Sequence, residues 1–199
     1  MKVRNGFVSN SSSSSFILKF DKIPETKEEL RIMLYGENPP IFTAHWDDDA
    51  ISTEQVASII FNDIESAHIM DIDDVISQIR SEVYFSEYSG SEGRDFVVGS
   101  EYIDEFDKIY DAIVQKDKTF SKMRWVEKNS DISWEDHHKE MDEMAKPLLD
   151  IIEKIIRDKY TKGEMFIETE YSDNDGQVFS YIEHSDVLNP IMVQRFSHH

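Results

Sequence analysis

Beginning at Trp134, apolar or aromatic side chains recur at Trp134, His138, Met141, Ala145, Leu148, Ile152 and Ile155, in alternating steps of four and three. That spacing describes a helical seam about three heptads long. Met144, Leu149, Ile151 and Ile156 widen the stripe, so the expectation is a core-facing helix over 134–160 rather than an isolated coiled coil. Ser133 is placed to cap it, Pro147 to kink it and Gly163 to end it. Shorter helical patterns occur elsewhere. Leu30, Met33 and Leu34 follow Pro24 and precede Gly36. Val56, Ile59, Ile60 and Ile64 follow a Ser52-Thr53-Glu54-Gln55 capping box. Ile72, Val75, Ile76, Ile79 and Val83 form a third face, and Ile103, Phe106, Tyr110, Ile113 and Val114 a fourth, opened by Ser100.

The remaining segments read as strands. These are 16–20, 41–44, 84–88 and 95–98, the last two around a loop at 90–93. The period changes to two after Glu164, where Phe166, Glu168 and Glu170 alternate with Ile167, Thr169 and Tyr171. Beyond Asp173-Asn174-Asp175-Gly176, Val178, Ser180 and Ile182 alternate with Phe179, Tyr181 and Glu183, which predicts a C-terminal β-hairpin. The expected class is α+β: four or five helices with a small, mainly antiparallel sheet, in one domain over 1–199.

Charge narrows the function. The chain has 199 residues, with 41 Asp+Glu against 21 Lys+Arg and a formal charge of −20. From Ile32 to Ile79 there is no Lys or Arg, while ten carboxylates occur there. A direct nucleic-acid contact needs cations on the phosphates and is not expected. With no cysteine, disulfides, thiolate catalysis and Cys-ligated zinc are excluded. No apolar run approaches a membrane span and the N-terminus lacks a signal-peptide pattern, so a cytoplasmic location is expected.

Each motif with chemistry has a plainer reading beside it. Ser11 to Ser15 form a low-complexity run within a serine segment at 9–15, without a Gly-x-Ser-x-Gly elbow, and a flexible turn or linker suits it better than a nucleophile. His45 and Asp47-Asp48-Asp49 offer ligands for a divalent ion but also suit an acidic turn before the Ser52 cap. Asp71, Asp73 and Asp74 suit the positive end of the helix they precede. Glu135 and His138 make one Glu-x-x-His where a di-iron bundle needs two. Asp173, Asn174, Asp175 and Gly176 lack the twelfth-position Glu of a calcium loop, and Glu183-His184 with Asp186 offers a local acid–imidazole group.

The opening Arg4-Asn5-Gly6-Phe7-Val8-Ser9-Asn10, followed by Ser11 to Ser15 and Phe16, resembles the start of a group of phage and prophage-encoded proteins. The segment Tyr171-Ser172-Asp173-Asn174-Asp175-Gly176, with Tyr181-Ile182-Glu183-His184, is similar to a second segment of the same group. The resemblance implies a phage or prophage origin and a host cytoplasm. It transfers no catalytic residue. Phe7-Val8 and Phe16-Ile17 flank the serines as apolar anchors able to fix them as a loop against the C-terminal hairpin.

Three functions follow as expectations. The leading one is a non-catalytic interaction protein that binds a basic host protein, with nucleic-acid mimicry as one form of that binding, through Asp47, Asp48, Asp49, Glu54, Asp63, Glu65, Asp71, Asp73 and Asp74. The second is a metal-dependent hydrolase or nucleotide-processing enzyme built from His45, Asp47, Asp49, Asp173, Asp175 and His184, with a divalent metal as its cofactor. The third is a structural or virion-associated oligomer joined through the 134–155 seam.

Overall fold

The computed structural model describes residues 13–46, 49–83, 94–126, 131–160 and 163–198. It is α+β, with six α-helices and six strands among the described residues. The chain divides into two compact units. Residues 1–70 and 165–199 form unit 1, and residues 71–164 form unit 2. Unit 2 is an insertion. It leaves unit 1 after Met70 and returns before Met165, and Met70 pairs directly with Phe166 across two antiparallel strands. Such an insertion needs no Gly- or Pro-rich linker, so composition does not mark it.

Unit 1 is built on β1 (Ser13–Phe20), which lies inside a four-stranded sheet. The sheet order is β4 (Ile69–Met70), β5 (Met165–Ser172), β1, β6 (Met192–His198), antiparallel throughout. Alternation sends Ser14, Phe16, Leu18 and Phe20 to one face. Phe16, Leu18 and Phe20 share a core there with Leu30 and Leu34 of α1 (Lys27–Tyr35), Val56 and Ile60 of α2 (Thr53–Ser66), and Tyr181 and Ile182 of α6 (Gln177–His184). A one-residue slip of β1 would turn those three side chains off this core, which pins the register. The helix starts follow local chemistry. Thr26 Oγ1 accepts the Glu29 N–H (3.1 Å), and Ser52 with Gln55 completes the expected capping box. Gly36, at φ +85°, ends α1 in a conformation that favours glycine. The strand expected at 41–44 is β2 (Phe42–Trp46), paired with β3 (Asp49–Ser52).

Two expectations change in unit 1. Ser13 to Ser15 continue the strand at 16–20 backward instead of making a turn, so β1 starts at Ser13, and Ser11 and Ser12 lie outside the described residues. The hairpin over 166–183 keeps only its first strand. After a 3-10 turn at Asp173–Asp175 and Gly176 (φ +116°), residues 177–184 are the helix α6. Eight residues with apolar side chains at 178, 179, 181 and 182 fit both periods. The core settles the matter by burying Tyr181, Ile182 and Glu183 together on one helical face. The last strand, β6, pairs with β1 rather than β5.

Unit 2 holds α3 (Ile72–Glu82), α4 (Ile103–Ser121) and α5 (Trp134–Lys159). The strand expected at 95–98 is a 3-10 turn at Arg94–Phe96, and 84–88 lies outside the described residues. Ser133 caps α5 as expected, its hydroxyl accepting the Asp136 N–H (3.0 Å). The buried positions of α5 are His137, Met141, Leu148, Ile152 and Ile156. They step by four and seven along a helix near 3.6 residues per turn, so the buried line drifts off the predicted heptad seam. His137, not His138, therefore faces inward. Its ring stacks on Phe120 (3.8 Å between centroids, 6° between planes) and its Nε2 lies 2.9 Å from Asp117 Oδ1 of α4. On the surface, the Arg80 guanidinium of α3 donates to Asp150 (2.6 Å) and Glu153 (2.6 Å) of α5. Arg80 first, then Arg157, holds the Glu153 carboxyl below the usual carboxylate range.

The inward turn of α5 is testable by a contrast. Asp117→Ala leaves the buried His137 without this partner and should cost about 2–4 kcal/mol in urea unfolding. His138→Ala, at an exposed position, should cost less than about 0.5 kcal/mol. A reversed order of the two values would show that the predicted seam is the real one.

Candidate functional site

The site grows out of the β1 register. Continuing the Phe20, Leu18, Phe16 alternation backward places Ser14 on the same face, opposite Tyr171 of β5 and Ser197 of β6. Its hydroxyl is fully buried and donates to Glu183 Oε1 (3.1 Å). The same oxygen accepts from Arg195 Nε (3.2 Å) and Nη2 (3.0 Å). Arg195 sits on β6 opposite Phe16, with its guanidinium over the Phe16 ring at 5.5 Å. Glu183 is buried completely although it carries a carboxyl. Its second oxygen, Oε2, is also buried, has no hydrogen-bond partner among the described residues, and lies 3.7 Å from His184 Nε2.

The next residues complete the cluster. Asp173, in the turn after β5, places Oδ1 2.7 Å from His184 Nε2. Ser180, one helical turn before His184, donates to the same oxygen (3.0 Å). The ligand atoms of Asp173, Glu183 and His184 all lie within 4.8 Å of one another. Asp173 and His184 are about one third exposed, so the group runs from solvent to a fully buried carboxyl. Asp186, expected beside Glu183 and His184, instead accepts from Asn189 (3.1 Å). Asp175 is exposed in the turn and is not in the cluster.

This geometry does not make Ser14 a nucleophile. Its proton goes to Glu183 and its lone pairs face two guanidinium N–H groups, so it acts as a connector between an acid and a base. Ser13 pairs with Ser172, and Ser14 bonds Glu183. Arg195 and Ser180 carry no local motif and were missed in the sequence. The strand register was the signal for Ser14.

The predicted acidic residues distribute differently. Asp47 and Asp48 lie outside the described residues, and His45 and Asp49 are described only as backbone in β2 and β3. Asp71, Asp73 and Asp74 belong to unit 2 and have local work there. Asp71 accepts the Asp73 and Asp74 N–H groups (2.9 and 3.0 Å), Asp74 accepts the Asp71 N–H (3.1 Å), and Asp73 pairs with Arg157 of α5 (2.8 Å). Glu54, Asp63 and Glu65 remain on α2 in unit 1. Among the described residues, none of the three has a lysine or arginine within ion-pair distance. Three nearby cations are paired with other acids: Lys19 with Asp21 (3.1 Å), Lys22 with Glu25 (2.8 Å), Arg31 with Glu28 (2.9 Å). Burial raises the Asp63 carboxyl above the ordinary range, with the Tyr171 hydroxyl opposing it.

Comparison with protein-family models, with curated proteins and with solved structures finds no match to this chain. No helix among the described residues is long and apolar enough to cross a membrane.

The connector role predicts a specific penalty. Ser14→Ala strips a partner from Glu183 and two donors' acceptor from Arg195, and should cost about 1–3 kcal/mol of stability in urea unfolding. Ser13→Ala, at a half-buried position on the other face, should cost less than about 0.5 kcal/mol. Equal costs would remove Ser14 from the node.

Proposed function

We propose that the chain is a non-catalytic, phage-type interaction protein that binds a basic host protein through the acidic surface of α2. The observation that carries this reading is the uneven neutralisation of charge. Several carboxylates at the start of unit 1 and in unit 2 pair with cations, including Glu140 with Lys116 and Glu143 with Lys146. Glu54, Asp63 and Glu65 do not, and they lie in a stretch from Ile32 to Ile79 without any Lys or Arg. Unscreened like charge on one helix destabilises the compact state and attracts a cationic surface. Complementary charge accelerates association and makes binding sensitive to salt.

The oligomer reading loses its main support, because α5 spends Met141, Leu148 and Ile152 inside unit 2, where it packs on α3 and α4. The hydrolase reading required residues 45–49 to join 173–184. Of its six residues the described cluster holds Asp173 and His184, with Glu183 added.

The test is affinity capture from host lysate by the full chain and by Glu54→Gln/Asp63→Asn/Glu65→Gln, at about 50 mM and about 500 mM salt. A basic protein retained at low salt, released at high salt and captured about ten-fold less by the variant is the expected outcome. Equal capture by the variant, or retention indifferent to salt, would overturn the reading.

A further inference from the structure

We propose that Asp173, Glu183 and His184 bind one divalent transition-metal ion of the zinc or manganese class. The cluster alone would not carry this. The independent observation is Glu183 Oε2, a carboxylate oxygen in a completely buried side chain, without a hydrogen-bond partner among the described residues and facing His184 Nε2 at 3.7 Å. Buried polar atoms are almost always satisfied, and an unsatisfied carboxylate oxygen is the costliest kind to leave. The other oxygen of the same group is tied down by Ser14, which Arg195 fixes in turn. One oxygen is therefore positioned and the other is presented.

The spacing suits a single ion. Ligands near 2.1 Å from an ion stand no more than about 4.2 Å apart when opposite. The Asp173–His184 and Glu183–His184 separations are 2.7 and 3.7 Å, and the whole set lies within 4.8 Å. A small side-chain adjustment of Asp173, which is partly exposed, closes the remainder. Two carboxylate oxygens and one imidazole nitrogen favour borderline ions over Mg2+ or Ca2+, which prefer oxygen alone. The hydroxyls of Ser14 and Ser180 supply the outer hydrogen bonds that orient ligating carboxylates. Solvent reaches the cluster from the Asp173–His184 side, which gives the ion a path in and leaves room for water to complete its coordination. Binding would break the Asp173–His184 hydrogen bond and release any proton held between them.

The proposal is independent of the α2 surface and is tested separately. The full chain, without an added histidine tag and treated with chelator, is titrated with ZnCl2 and with MnCl2 by calorimetry. The visible absorption of added Co2+ reports the donor set. The account expects one ion per chain, and binding weakened at least about 100-fold in Asp173→Asn and in His184→Gln. Ser14→Ala, which touches only the outer hydrogen bonds, should weaken it about 10–100-fold. Circular dichroism checks that the variants fold; Asp173 and His184 are chosen because both are partly exposed. No saturable binding by the folded wild-type chain would overturn the proposal. So would binding that survives either ligand substitution at full strength, which would mark an ion held by other surface carboxylates.

Discussion

Glu183 brings a carboxylate into a place without solvent, and unit 1 is arranged so that this group has partners. Ser14 reaches it from the central strand, and Arg195 reaches Ser14 from the neighbouring strand. The three residues come from opposite ends of the chain, so the node exists only after β1 has paired with β5 and β6. Taking away one member of such a group leaves the others buried and unpaired, which costs more than the group contributes while intact. The node therefore acts more on specificity of assembly than on raw stability. It rewards the one register of β1 in which Ser14 points beneath α6, and that register also buries Phe16, Leu18 and Phe20.

The same packing decides how charge is used. In unit 2 the long helix α5 supplies cations and carboxylates to its neighbours, and Arg80, Arg157 and Lys116 each meet an acid. The carboxylates at 71, 73 and 74 are consumed at the start of α3, where free backbone N–H groups and the helix dipole favour them. In unit 1, Glu54, Asp63 and Glu65 lie on α2, a helix that packs Val56, Ile60 and Ile64 into the core. Glu54 and Glu65 are exposed on this helix, and Asp63 is half-buried.

Much of this was legible in the residues. Capping chemistry is local, so Ser52, Ser133 and the acids before Ile72 announced their helices correctly. The strand at 16–20 was legible as a short apolar run with aromatic ends, and the first strand after Glu164 as a change to period two. What could not be read is equally physical. Ser13 to Ser15 have weak strand propensity and no apolar side chain, and only pairing on both sides makes them a strand. Residues 178–183 fit two periods at once, and tertiary packing chose the helix. His137 and His138 are adjacent, so a drift of one residue in the seam exchanges a core histidine for a surface one. The cluster itself joins Ser14, Glu183 and Arg195, and sequence separation hid it.

If the serine run is a central strand, its amides are bonded on both edges and open only with the sheet. Amide-resolved hydrogen exchange of the full chain measures this directly. The account predicts that the amides of residues 14–18 exchange among the slowest of unit 1, as slowly as those of β5. Exchange of the amides at 14 and 15 at rates near those of an unfolded chain, with protection beginning only at Phe16, would contradict it and dissolve the buried node along with the site built on it.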